Sequence, residues 1–141
     1  MERLRQRLSV AGHAAATLRE LAVRTSPSKI ERDAAIQRFE YSFEATWKAA
    51  QRFLAVVEGV EAGSPKSAIR ACHEAGFLRS AQAEQALAMA DDRNLTAHTS
   101  NEGLAEAIFK RLPGHLATLE AGWERCRSGC RPSPRPLNSS P

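Results

Sequence analysis

The sequence has few of the residues that organise disulfide frameworks, zinc sites and β-sheets. Its 141 residues include three cysteines, an odd number, and they form no pair of Cys-x-x-Cys motifs. This arrangement predicts neither a disulfide framework nor a zinc site, and no metal or other cofactor is indicated. Sustained period-two alternation and hairpin dipeptides such as Asn-Gly are also absent. A fold built on β-hairpins is therefore excluded.

Long apolar runs are missing as well. No stretch approaches the roughly 20 apolar residues that a helix needs to cross a bilayer, so no membrane segment is predicted. Residues 1–7 are charged and lead into an amphipathic pattern, which does not resemble a secretory signal. We therefore expect a cytoplasmic protein. Its 43% hydrophobic and 26% charged residues are typical of one globular domain.

A widespread excess of positive charge is also lacking, although the net charge is +4. The C-terminal residues Arg125, Arg127, Arg131 and Arg135 account for this excess, and residues 1–124 carry 16 basic and 16 acidic side chains. Because the body of the chain is neutral, a surface that binds nucleic acid must be local or shared by two subunits.

Apolar residues instead recur at the steps of three and four that are typical of amphipathic helices. In residues 3–23 the stripe consists of Leu4, Leu8, Ala11, Ala15, Leu18 and Ala22. In residues 28–60 it consists of Ile36, Phe43, Trp47, Ala50, Leu54 and Val57. The spacing in the second segment favours a nearly antiparallel helix partner.

Three further helices are predicted over residues 64–73, 80–99 and from residue 101 to the end of the bundle. Ser64 before Pro65 is a helix-start signal, and Pro113 with Gly114 predicts a kink or break. The fold class is therefore all-α, an up-and-down bundle of four to five helices over residues 1–127. Residues 128–141 are rich in proline, arginine and serine, and we expect them to be disordered.

Glu40 interrupts the apolar seam of the second helix between Ile36 and Phe43. One interpretation places it near the bundle edge, paired with a basic side chain, because a buried charge requires a partner. The other places it in a functional cleft, where it orients Arg93 or His98. Glu44 and Lys48 are predicted to form a surface pair four residues apart.

Arg93 and His98 are the candidate chemical groups. Of the four histidines, His98 is the one with notable neighbours in sequence, because Asp91, Asp92 and Asn94 are close to it. On an ideal helix, Asn94 and His98 share a face, whereas Arg93 lies about 140° around from His98. Either the arginine reaches round, or the helix ends near Thr99, or a second subunit completes the site.

Three blocks of sequence, in order, resemble the nucleotidyltransferase substrate-binding proteins of the HEPN (higher eukaryotes and prokaryotes nucleotide-binding) superfamily. They are residues 38–48 (RFEYSFEATWK), 64–70 (SPKSAIR, leading to Ala75-Gly76) and 91–99 (DDRNLTAHT). The resemblance covers most of residues 1–125. It implies a HEPN-like bundle that forms a homodimer and works with a small nucleotidyltransferase encoded beside it.

In related HEPN toxins, the arginine and histidine that match Arg93 and His98 form a ribonuclease centre at the dimer cleft. Asn94 matches their polar companion, and Asp92 and Glu40 are carried over as substrate-binding residues. Many such toxins have a tyrosine two residues after the histidine, which the partner modifies. Ser100 occupies this position here and is a candidate modification site.

Two functions follow as hypotheses. In the first, the protein is the toxin half of a toxin–antitoxin pair and cleaves RNA without a metal: His98 acts as general acid or base, Asn94 orients it and Arg93 stabilises charge on the phosphate. In the second, the protein has no chemistry of its own and presents a bound nucleotide to the nucleotidyltransferase. A purely structural adaptor is a third alternative.

Overall fold

The computed structural model describes residues 1–129, which form five α-helices without a β-strand. The helices are α1 (Glu2–Ala22), α2 (Lys29–Phe53), α3 (Pro65–Glu74), α4 (Ser80–Leu95) and α5 (Glu102–Gly129). A π-helical turn, Leu54–Glu58, extends α2, and a 3₁₀ turn, Thr96–His98, follows α4. The predicted all-α bundle is thus confirmed.

Helix starts follow the capping signals of the sequence. The Ser28 hydroxyl accepts a hydrogen bond from the Glu31 amide at 3.1 Å, and the Glu31 carboxylate accepts one from the Ser28 amide at 3.0 Å. Ser64 and Ser67 make the same reciprocal pair at the start of α3. These bonds satisfy amides that have no partner inside a helix, and they set where α2 and α3 begin.

The core lies where α1, α2 and α5 meet. The contact between α1 and α2 is the most extensive, α5 packs on both, and α3 with α4 covers the remaining side. The whole predicted stripe of α1 is buried. On α5, Ile108, Leu112 and Leu119 are fully buried. The amphipathic stripes of the sequence therefore identify most of the core correctly.

The C-terminal end of α2 differs from the prediction of one α-helix through residue 60. The regular helix ends at Phe53, and the wider π-helical turn leads to Gly59 at φ 67°. A π-turn carries an extra residue, which shifts the positions after it around the axis. Val57, expected on the apolar seam, lies within this turn and is 40% exposed.

Pro113 and Gly114 were predicted to cause a kink or a break, and the helix continues through both residues without a break. Pro113 and Gly114 are both exposed, where water can satisfy the backbone carbonyl that proline leaves without a donor. Helix α5 extends to Gly129, two residues into the predicted tail, and the rest of that tail lies outside the described residues. No helix within residues 1–129 combines the length and apolar character required to cross a membrane.

Candidate functional site

The C-terminal turn of α4 brings Arg93 against Glu40 of α2. The Arg93 Nη1 and Glu40 Oε2 atoms are 3.4 Å apart, and both side chains are about one-third exposed, 31% and 35%. Glu40 therefore lies at the edge of the bundle, and the basic side chain with which it pairs is the candidate Arg93. Both interpretations of Glu40 are compatible with this position.

Thr96 holds the Arg93 side chain from the other side. Arg93 Nη1 donates to the Thr96 hydroxyl at 3.0 Å, and this hydroxyl donates to the Arg93 carbonyl at 2.6 Å. The Arg93 Nε atom is shielded from solvent and makes no hydrogen bond within the described residues. The Nη2 group also makes no bond within residues 1–129, and the side chain is 31% exposed, so the guanidinium is positioned and keeps a donor group that suits it to receive an anion.

His98 does not meet Arg93 within the chain. The α-helix ends at Leu95, close to the end expected near Thr99, and the 3₁₀ turn that follows advances by about 120° per residue. This rotation moves His98 further round from Arg93 than a continued α-helix would. His98 and Asn94 are exposed, and neither side chain makes a hydrogen bond or ion pair within residues 1–129. Ser100 is also exposed, in the turn before α5.

Asp92 is buried rather than open to a substrate. It is 7% exposed, and its carboxylate accepts two bonds from Arg111 of α5, from Nε at 2.7 Å and from Nη2 at 2.9 Å. His115 Nε2 lies 2.6 Å from the same carboxylate, and the His115 ring stacks on Phe39 at a centroid distance of 5.2 Å. Asp92 therefore joins α4 to α5 and to the core.

The electrostatic setting of Asp92 favours its charged form. Burial alone would raise the pKa of its carboxyl group, but the bonds from Arg111 and His115 outweigh burial and lower the pKa below the ordinary 3.8. The reciprocal bond raises the pKa of Arg111. Asp92 is thus an ionised structural anchor beside Arg93.

A family model, nucleotidyltransferase substrate binding protein like, matches residues 6–126 of the chain. The chain belongs to this family. The matched region includes α2, α3 and α4, most of α1 and α5, and every candidate site residue. The comparison with curated proteins found no match.

Two solved structures support the fold of this family member. A Thermus thermophilus protein is 56% identical, covers 83% of this chain and 98% of its own, and superposes with a TM-score of 0.81. A Haemophilus influenzae protein, described as having the fold of a substrate binding domain of a nucleotidyltransferase, is 22% identical. It covers 85% of this chain and 98% of its own with a TM-score of 0.71, which shows a shared fold.

In this member of the nucleotidyltransferase substrate binding protein like family, charged side chains on one turn of α4 contact three other helices. Asp91 accepts a bond from Lys66 of α3 at 2.6 Å, Asp92 binds Arg111 of α5, and Arg93 pairs with Glu40 of α2. We call residues 91–93 the junction triplet. Successive residues of a helix point about 100° apart, which is why three neighbours in sequence contact three different helices.

Arg111 and His115 are the site residues that the sequence analysis missed. The sequence neighbours of His98 single it out among the histidines, whereas the partner of His115, Asp92, lies 23 positions away in the sequence. Spacing along one helix carries no signal for a contact with another helix. The available clue was that Arg111 and His115 lie four residues apart and share a face of α5.

An apolar cavity of about 290 Å³ lies between α2, α3, α4 and α5. Its walls include Phe43 and Trp47 of α2, Met89 of α4 and Ala117 of α5. Phe43 is three residues from Glu40, and Met89 is four residues from Arg93, so each lies about 4.5–6 Å along its helix from the charged residue. The cavity therefore begins close to the Glu40–Arg93 pair, so an apolar space and a charged end adjoin.

Proposed function

We propose that this protein is the substrate-binding subunit of a two-chain nucleotidyltransferase and that it holds a nucleotide beside Arg93. The observation that carries the proposal is the state of the Arg93 guanidinium, which is held by Thr96, paired with Glu40 at 3.4 Å, about one-third exposed and left with an Nη2 group that makes no bond within residues 1–129. The planar guanidinium group of arginine can donate two parallel hydrogen bonds to the oxygens of a phosphate group.

The adjoining cavity supports a ligand with an apolar, planar part. Phe43 and Trp47 supply aromatic surface, and most of the other lining groups are small or apolar. Ligand sites commonly combine such a cavity with a few polar groups that fix orientation. A base in the cavity and a phosphate beside Arg93 would use both features at once.

The remaining site residues have distinct proposed roles. Glu40 orients Arg93, and the exposed side chains of Asn94 and His98 offer further donors to the ligand. Asp92 acts indirectly, because it fixes the turn that carries Arg93 to α5. The catalytic step belongs to the nucleotidyltransferase encoded nearby, to which this subunit presents the ligand.

A binding titration tests this function. Full-length protein is titrated into a fluorescent ATP analogue, which unlabelled ATP, GTP, CTP, UTP and AMP then compete away. We expect Arg93→Gln to weaken binding by about tenfold or more, since a hydrogen bond to a charged group contributes about 1.5–3 kcal/mol. Arg70→Gln, which removes an exposed arginine from α3, is the matched control and should bind like wild type. Equal affinities of the two variants, or no binding by folded wild type, would refute the proposal.

A metal-independent ribonuclease toxin of the HEPN type is the second candidate. The observation in its favour is that Asn94 and His98 are exposed and uncommitted within residues 1–129, as reacting groups must be. Because His98 points away from Arg93 of its own chain, we propose that a homodimer would pair Arg93 of one copy with His98 of the other.

Mixing two inactive variants tests the ribonuclease directly. Arg93→Ala and His98→Ala are incubated separately and together with total RNA and transfer RNA, with a chelator present. A site shared between copies predicts no cleavage by either variant and partial recovery in the mixture, where one composite site is intact. Intact RNA with folded, dimeric wild type would eliminate this candidate and leave the binding function untouched.

A further inference from the structure

A second concave surface lies far from the Glu40–Arg93 pair, between the start of α1 and the end of α2. It encloses about 590 Å³ and is lined by Arg3, Arg7, Lys48, Gln51, Arg52, Ala55, Glu61, Ala62 and Gly63. We call it the α1–α2 groove. Gln51 forms part of its wall and donates to the Ala62 carbonyl at 2.6 Å, which holds the loop after α2 in place.

The cations of this groove are largely unpaired. Within residues 1–129, Arg3 and Arg7 make no side-chain hydrogen bond or ion pair, and the Arg52 Nε atom is buried without a partner. Lys48 has a loose pair with Glu44 at 3.5 Å, and Glu61 is the carboxylate among the lining residues. Since residues 1–124 are neutral as a whole, this groove is a local concentration of positive charge.

The cations form two rows on facing helices. Arg3 and Arg7 are four residues apart on α1, and Lys48 and Arg52 are four residues apart on α2, so each row advances about 6 Å along its helix. Two rows along an open groove match an extended chain of negative charges better than one compact anion. Three of the four cations are arginines, whose planar forks suit phosphate oxygens.

We propose that the α1–α2 groove binds the phosphodiester backbone of a single-stranded nucleic acid. An acidic protein surface fits less well, because specific protein interfaces have apolar and aromatic centres, and the groove lining contains neither aromatic nor large aliphatic side chains. The absence of stacking groups also means that binding depends on backbone charge. It should therefore tolerate many sequences and weaken with salt.

This inference is independent of the nucleotide site. Lys48 follows Glu40 by eight residues, about 12 Å along α2, and Arg3 and Arg7 belong to a helix that contributes nothing to the Arg93 site. Arg93→Gln should therefore leave strand binding unchanged, and loss of charge from the groove should leave nucleotide binding unchanged.

Fluorescence anisotropy of labelled 12-nucleotide RNA and DNA strands of mixed sequence tests the groove, with full-length protein over a series of salt concentrations. We expect Arg3→Gln/Arg7→Gln to bind about tenfold more weakly and to reduce the slope of log K against log salt by about 1.4, or about 0.7 for each lost phosphate contact. Arg70→Gln/Arg79→Gln removes the same charge from exposed positions outside the groove and should behave like wild type.

The outcomes separate the possible ligands. Binding of RNA, of DNA or of both, lost in the groove variant alone, supports the proposal and identifies the strand. Equal binding by the groove and control variants overturns it, as does failure of folded wild type to bind either strand. Loss of co-purification with the nucleotidyltransferase, with strand binding intact, also overturns it and assigns the groove to an acidic protein surface. Circular dichroism verifies that the groove variant folds. We expect it to fold because Arg3 and Arg7 are exposed.

Discussion

Asp91 and Asp92 are neighbours in sequence, yet the fold gives their carboxylates very different surroundings. Asp91 is 62% exposed and meets Lys66 at the surface, whereas the Asp92 side chain is 10% exposed and meets Arg111 and His115. Removing a buried carboxylate that accepts several hydrogen bonds leaves its donors unsatisfied, whereas a surface ion pair contributes little to the stability of the fold. The two residues therefore form an internal comparison.

We expect Asp92→Ala to lower the free energy of unfolding by about 2–3 kcal/mol, because Arg111 and His115 lose their common acceptor. Asp91→Ala should lower it by less than about 1 kcal/mol. Urea unfolding at neutral pH measures both. Similar losses in the two variants would contradict the role of Asp92 as a structural anchor.

The candidate site shows how far residue types and spacing predict function. Arg93, Asn94 and His98 could be selected from sequence because they are close along one segment and chemically distinctive. The pairing of Arg93 with Glu40 was one of two interpretations of Glu40. The bond from His115 to Asp92 could not be foreseen, because it depends on how α5 is rotated against α4, and no local pattern encodes that rotation.

At the scale of helices, the first turn of α5 is tied to α2 by charge. Glu102 accepts a hydrogen bond from Arg32 at 2.8 Å, and its other oxygen lies 2.8 Å from Lys29. The bonds from Arg32 and then Lys29 lower the pKa of Glu102 from 4.5 to about 2. Since folding lowers this pKa, the resulting stabilisation is complete above about pH 4.5 and is lost as the pH falls towards 2.

We therefore expect Glu102→Gln to lower the urea midpoint at pH 7 and to have a progressively smaller effect between pH 4.5 and 2. Glu106→Gln, one turn further along α5 and without an ion pair within residues 1–129, is the control and should follow the wild-type pH profile. Unfolding midpoints across this pH range provide the test. A constant difference between Glu102→Gln and wild type would contradict the pKa shift.

The close approach of α1 and α5 leads to a second prediction at this scale. A Cβ atom added to Gly12 would lie 2.8 Å from Trp123 Cζ2, and the ring is held by a 2.6 Å bond from Trp123 Nε1 to the Leu8 carbonyl. Gly12→Ala should therefore cost about 1–3 kcal/mol of stability. Gly122→Ala meets no atom within 4 Å and should stabilise α5 by up to about 1 kcal/mol. Thermal unfolding distinguishes the two variants. A higher unfolding temperature in both would show that α1 and α5 move apart at little cost.

The sequence predicted that the helices exist, but it predicted only some of the residues at which they begin and end. Ser28 and Ser64 carry side chains that cap a helix, so the starts of α2 and α3 were visible in the sequence. The change to a π-turn after Phe53 and to a 3₁₀ turn after Leu95 was not predicted. Both depend on how the chain must bend to reach the next helix, and helix propensity does not describe that.

At the scale of the whole molecule, four helices enclose the apolar cavity, and its occupancy can be tested without touching a charged residue. Ala117 lines the cavity but is exposed, so Ala117→Leu should fill space without disturbing the core. We expect this variant to bind the fluorescent ATP analogue about tenfold more weakly and to keep the wild-type urea midpoint. Ala88→Leu, exposed on α4 outside the cavity, is the control. Unchanged affinity of Ala117→Leu would place the ligand elsewhere.

The junction triplet has a consequence for how related genes diverge. Of its three residues, Asp92 is buried against Arg111 and His115, whereas Asp91 and Arg93 make partly exposed ion pairs that contribute little to stability. A copy of the gene that no longer needs its ligand must therefore still keep Asp92 to fold. Asn94 and His98 make no such bonds within residues 1–129, and substitutions there carry little penalty for folding. Loss of function in this lineage should therefore be recorded at positions 94 and 98, while an intact Asp92 identifies a viable bundle and says nothing about whether it still binds its ligand.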